Sequence, residues 1–137
     1  MGTEGHDGQK VLVIDDDPVM HRLFQNILHH ASYEVVVAST GVEGIQLAER
    51  EAPLLVILDY VMPDMDGLDT LKELKKRQAT KGIPVLIATG FLDAMVNEQF
   101  LAAGAAACLS KPFSAPVLLD LVQKLVVPLA PSNGCSV

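Results

Sequence analysis

The chain reads as an α/β domain, a doubly wound arrangement of five strand–helix units around a parallel sheet. Three observations predict it. Short β-branched runs recur along the chain, and segments with helical periodicity separate them. The third and fourth runs are apolar throughout rather than alternating, as strands covered on both faces must be. Strand–helix alternation then requires parallel pairing through right-handed crossovers.

The elements follow in order. VLVI at 11–14 is the first strand. Asp17-Pro18 supplies an N-cap and a proline at the first helical position. Met20, Leu23, Phe24, Ile27 and Leu28 then recur at i, i+3, i+4, i+7 and i+8, one apolar stripe of a helix. EVVV (34–37) and a helix over 41–50 form the second unit, and LLVIL (54–58) with a helix over 67–78 the third. IPVLIA (83–88) precedes a helix over 93–103, and the weaker run AACL (106–109) precedes one over 115–127. Residues 1–9 and 128–137, rich in Gly, Pro and Ser, are expected to be flexible tails around one domain at 10–127.

Composition narrows the function. With 137 residues, half of them apolar, the chain can bury one sizeable core and has no room for a second domain. Ten Lys and Arg against 17 Asp and Glu give a formal charge of −7, which disfavours nucleic acid and anionic lipid and favours a protein or a cation as partner. Cys108 and Cys135 lack the spacing of a zinc site or disulfide framework and suit a reducing compartment. No stretch reaches about 18 apolar residues, the start MGTEGHDGQK has no signal-like core, and His6 stands where N-myristoylation wants Ser or Thr. The expected location is the cytoplasm.

In open parallel sheets, ligands bind beyond the carboxyl ends of the strands. Asp15, Asp16 and Asp17 follow the first strand, Asp59 the third, Thr89 and Gly90 the fourth, and Ser110, Lys111 and Pro112 the fifth. Carboxylates, a hydroxyl and an ammonium therefore meet at one edge. Two carboxylates about 4 Å apart repel by roughly 4 kcal/mol at an effective dielectric near 20. Such a cluster needs a cation or a retained proton, and a hard divalent ion answers best: Mg²⁺, with Mn²⁺ as a substitute, suits a few protein oxygens completed by water and a phosphoryl group. This is the equipment of phosphoryl transfer, with Asp59 as acceptor. Its ionised oxygen attacks without a general base, and none of the four histidines falls at a strand end. Asp17 is read as a helix cap outside the site. Asp64, Asp66 and Gly67 are read as turn and cap residues, Gly67 for special backbone angles. His29-His30 belongs to a helix end, and LKELKKR (71–77) to a solvated face with Leu71 and Leu74 inward.

Four motifs, VLVIDDDP, LLVILDYVMPDMDG, PVLIATG and LSKPF, occur in this order and spacing. With them, residues 10–127 resemble the receiver domain of two-component response regulators. The resemblance implies a flavodoxin-like sheet with strand order 2-1-3-4-5. It implies Asp59 as phosphoacceptor, Asp15 and Asp16 as the metal-binding acidic pair with Asp59 and the Val61 backbone carbonyl, Thr89 as switch hydroxyl and Lys111 as the phosphoryl-contacting lysine. It further implies Mg²⁺-dependent transfer from a sensor histidine kinase or histidine phosphotransfer protein. Such a chain is a signalling protein, catalysing only its own phosphorylation and slow autodephosphorylation. With no output domain after residue 127, a stand-alone receiver is expected, signalling through its fourth and fifth helix face.

The sequence departs from that pattern at three places. Cys108 stands where receivers usually carry an aromatic switch residue. Val61 and Phe91 are apolar where many receivers place polar side chains that orient attacking water, so slow hydrolysis is expected. The last helix, PVLLDLVQKLVV, leaves Val117, Leu119 and Val126 over after Leu118, Leu121, Val122 and Leu125 turn inward. That surplus serves the neighbouring helix, a homodimer or a downstream protein. Two rival functions share parts of this pattern. Asp64-Met65-Asp66-Gly67 matches the DxDG motif of haloacid-dehalogenase-type phosphatases, but Pro63 and the preceding turn separate it from the strand. A flavodoxin-like FMN binder would need a hydroxyl- and glycine-rich phosphate loop where this chain has DDDP.

Overall fold

The computed structural model describes residues 9–126. Its strands are β1 (Lys10–Ile14), β2 (Glu34–Ala38), β3 (Leu55–Leu58), β4 (Val85–Thr89) and β5 (Ala107–Ser110). The helices are α1 (Pro18–His30), α2 (Gly41–Glu51), α3 (Gly67–Lys76), α4 (Ala94–Ala102) and α5 (Ala115–Val126). All pairings are parallel, in the order β2-β1-β3-β4-β5. The predicted tails, with His6 and Cys135, lie outside the described residues apart from Gln9. Among the described residues no helix is long and apolar enough to cross a membrane.

The two faces of the sheet build two cores. On one face Leu12, Ile14, Val56, Leu58, Val85 and Ile87 pack against α2, α3 and α4 through residues such as Ile45, Leu71 and Phe100. On the other, Val11, Val13, Leu55, Ile57, Leu86 and Ala88 meet Phe24 and Leu28 of α1 and Leu118 and Val122 of α5. Strict alternation along β1, β3 and β4 thus lies beneath the continuous apolar runs: the apolar residues of these strands are all buried, but successive ones enter different cores.

Helix starts follow their capping residues. Asp17 accepts from the Val19 N–H at 2.9 Å, as the Asp17-Pro18 pair predicts. Thr40, Asp66 and Asp93 cap α2, α3 and α4 in the same way. Two expectations need correction, and one choice left open is decided. Helix α3 ends at Lys76 rather than 78, because Arg77 is extended and its guanidinium reaches both Glu73 and Glu49 at 3.0 Å. Lys75 is not a solvated lysine: its ammonium donates to the carbonyls of Lys81 (3.1 Å) and Ile83 (2.8 Å), and burial lowers its pKa. In α5, Leu119 and Val126 pack against the second core, so only Val117, at 49% exposure, remains of the apparent surplus.

Candidate functional site

Parallel pairing delivers the strand-end residues to one edge. Asp15 extends the β1–β2 ladder by one residue, its N–H donating to the Ala38 carbonyl at 3.0 Å. The Asp59 N–H donates to the Ile14 carbonyl at 3.0 Å, so the chain beyond β3 leaves the sheet beside the chain beyond β1. Thr89 and Ser110, expected just after their strands, are their last residues and pair with each other. The Lys111 N–H donates to the Thr89 carbonyl at 2.9 Å, and the Lys111–Pro112 peptide bond is cis.

The side chains then converge. Carboxylate oxygens of Asp15, Asp16 and Asp59 all lie within 4.8 Å of one another. Asp15 is buried, Asp59 partly so, and Asp16 exposed. The Lys111 ammonium is 2.7 Å from Asp15 Oδ2 and 3.6 Å from Asp59 Oδ2. Its nearer partner is therefore the buried acid rather than Asp59. Tyr60 N–H donates to Asp59 Oδ1 at 2.7 Å, which fixes the side chain at the start of the loop. Burial pushes the Asp59 carboxyl above the usual carboxylate range, the Asp15 charge adds to this, and Lys111 and the Tyr60 N–H oppose it. One ammonium against three carboxylates leaves an excess of negative charge in a small volume. Three hard oxygens with that excess suit a small divalent cation.

Thr89 is fully buried, and its hydroxyl accepts the Phe91 N–H at 3.2 Å, a local role. Val61 and Phe91 are 52% and 66% exposed. With Tyr60, Met62 and Val96 they line an apolar groove rimmed by Asp66 and Asp93. Cys108 is half-buried in β5 and packs against the first core, with its thiol pKa raised by burial.

The acids of the DxDG motif are already engaged. Asp66 caps α3 through the Asp69 N–H at 2.9 Å. Asp64 reaches across to the start of α2, accepting from Gly41 N–H and Val42 N–H, both at 3.0 Å. Slight burial raises its pKa, but these amide donors outweigh it and hold the carboxyl below the usual range. Gly67 does not sit at unusual backbone angles, since Gly104 is the glycine with positive φ among the described residues. What Gly67 provides is close approach: a Cβ there would lie 2.2 Å from the Asp59 carbonyl oxygen and 2.8 Å from Tyr60 Cα. Its N–H also donates to the Tyr60 carbonyl at 2.6 Å. A second residue that sequence reasoning missed is His21, whose Nε2 lies 2.5 Å from the Asp15 carbonyl oxygen.

Residues 11–123 match the profile of the response regulator receiver domain. The chain belongs to that family. This receiver is 28% identical over 115 residues to the polar-differentiation response regulator DivK of Brucella ovis, covering 84% of this chain and 94% of that one. The chemotaxis protein CheY4 of Vibrio cholerae superposes with a TM-score of 0.81 at 30% identity, over 85% of this receiver and 98% of that chain. The receiver domain of a sensor histidine kinase from Pseudomonas aeruginosa, solved with magnesium in its active-site cleft, gives 0.80 at 25% identity, over 87% and 98%. The resemblance read from the four motifs and the strand order 2-1-3-4-5 are both borne out.

Proposed function

We propose that this receiver takes a phosphoryl group onto Asp59 from a histidine kinase or histidine phosphotransfer protein, with Mg²⁺ held by Asp15, Asp16, Asp59 and the Val61 carbonyl. The observation that carries this reading is the cluster of three carboxylates against a single ammonium at the sheet edge. The relative crystallised with magnesium in its cleft supports the choice of ion. Bound there, Mg²⁺ would neutralise charge on the phosphoryl oxygens.

The chain's own residues do the rest. Asp59 forms the new O–P bond while the donor's bond to phosphorus breaks and its electron pair leaves with the donor. Tyr60 N–H keeps the carboxylate aimed. Lys111, 3.6 Å from Asp59, moves its charge from Asp15 toward the incoming phosphoryl group. Thr89 exchanges its bond with the Phe91 N–H for one in which its hydroxyl donates to a phosphoryl oxygen, and the loop before α4 shifts with it. A large inward ring rotation is not available at Cys108. The altered α4 and α5 face is read by a downstream protein or a second copy. The domain spans 10–127, acts in the cytoplasm, and turns over no substrate other than its own phosphoryl group.

Incubation with acetyl phosphate and Mg²⁺, followed by intact mass, tests this. Wild type gains one phosphoryl group and Asp59→Asn gains none. Phosphate release that survives the substitution favours the phosphatase rival instead. With apolar Val61 and Phe91 at the rim, no side chain there orients water, so the phosphorylated form is long-lived. Val61→Asn is expected to shorten its lifetime several-fold in a phosphate-release assay, and an unchanged lifetime contradicts this.

A further inference from the structure

Asp15 is bonded at every polar atom. Its N–H goes to Ala38, Oδ1 accepts the Asp17 N–H at 3.0 Å, and Oδ2 takes the Lys111 ammonium. Its carbonyl lies beyond the last ladder pairing of β1, in a residue only 2% exposed, where a backbone oxygen must find a donor. His21 of α1 supplies it, through Nε2.

We infer that His21 is a positioning residue of the acidic loop, donating its Nε2–H to the Asp15 carbonyl and so setting the direction in which Asp16 approaches the metal. This rests on the metal-binding reading of the cluster. A carbonyl oxygen only accepts, so Nε2 carries the proton. The peptide joining Asp15 to Asp16 is planar, and holding its oxygen holds the Cα of Asp16 as well. Asp16 is the exposed member of the cluster, with the fewest restraints from packing, yet its carboxylate lies within 4.8 Å of the other two. The His21 N–H itself donates to the Asp17 carbonyl at 3.1 Å, so the ring is carried on the same turn that ends the loop.

The test compares wild type, His21→Phe and His21→Gln. The first substitution keeps a flat ring without a donor, and the second offers an amide N–H at similar reach. Mg²⁺ affinity is measured by calorimetry, fold by thermal melting, and the protonated ring nitrogen of His21 in Mg²⁺-free wild type by ¹⁵N NMR. We expect the proton on Nε2, a roughly tenfold weaker Mg²⁺ affinity in His21→Phe, as loss of an outer hydrogen-bond partner typically causes, and near wild-type affinity in His21→Gln. A proton on Nδ1 alone, wild-type affinity in His21→Phe, or a folded His21→Gln that binds as weakly as Phe overturns the role of His21. Absence of Mg²⁺ binding to wild type instead overturns the metal site itself, and this inference with it.

Discussion

Gly67→Ala is expected to melt on the order of ten degrees below wild type and to take up phosphoryl groups far more slowly. The added Cβ would sit 2.2 Å from the Asp59 carbonyl oxygen and 3.0 Å from its carbon, both backbone atoms that no rotamer change can move aside. The start of α3 must then lift away from the peptide between Asp59 and Tyr60. That displacement costs about 2–3 kcal/mol as overpacking, and it weakens the 2.6 Å bond from Gly67 N–H to the Tyr60 carbonyl. The same peptide carries the Tyr60 N–H that holds Asp59 Oδ1, so aim is lost together with stability. Gly82→Ala and Gly90→Ala serve as controls, because a Cβ at either site meets nothing within 4 Å. Neither glycine has a positive φ, so these changes are neutral or stabilising by up to about 1 kcal/mol. Thermal melts and acetyl phosphate uptake of the three variants check this, and a Gly67→Ala protein matching the controls contradicts it.

Asp59→Asn is expected to stabilise the Mg²⁺-free domain at neutral pH while abolishing its acceptor chemistry. Burial disfavours the ionised form of Asp59, and the Asp15 carboxylate, whose oxygen lies within 4.8 Å, adds to this. Lys111 at 3.6 Å offsets part of this penalty without cancelling it, since the carboxyl remains above the usual range. The pH dependence follows from the direction of the shift. The Asp59 pKa is raised in the folded state, first by burial and then by Asp15, so its ionised form is disfavoured by folding. The penalty is absent below the unfolded pKa, grows as pH rises from there, and is complete above the folded pKa. The advantage of Asp59→Asn should therefore be largest at neutral pH and shrink as acid protonates Asp59. Asp64 behaves oppositely. Its lowered pKa contributes stability above its unfolded value that is lost as pH falls through the folded one. Urea unfolding in chelator across this range measures the difference, and a Mg²⁺-free Asp59→Asn less stable than wild type at neutral pH contradicts the electrostatic account. Mg²⁺ should stabilise wild type more than the variant, since a ligand that binds only the native state raises stability with its concentration.

What the sequence made legible is what local chemistry and strand topology determine. Apolar runs, capping residues such as Asp17 and helical stripes declare elements within a few residues, and a parallel sheet must bring the residues after β1, β3, β4 and β5 to one edge. Hence Asp15, Asp16, Asp59, Thr89 and Lys111 could be named together. What stayed hidden depends on contacts between distant segments. Asp64 has the form of an ordinary turn acid, and nothing near it in the chain announces that its oxygens serve Gly41 and Val42. Lys75 lies in a charged run whose composition suggests solvent, yet it ties α3 to the carbonyls before β4. The choice of Lys111 for Asp15 over Asp59 is a matter of about an ångström, set by side-chain packing. His21 follows no strand, so strand-end position gives no sign of it, although the carbonyl one residue past β1, beyond the ladder and in need of a donor, is a signal that points to it.

The claim on which the rest depends is that Asp59, and neither Asp64 nor Asp66, receives the phosphoryl group. Borohydride reduction after exposure to acetyl phosphate and Mg²⁺ converts an aspartyl phosphate to homoserine, and peptide mass mapping then locates it. The result predicted is homoserine at position 59 alone. Homoserine at 64 or 66, or an unmodified chain under conditions where Mg²⁺ binds, would contradict it.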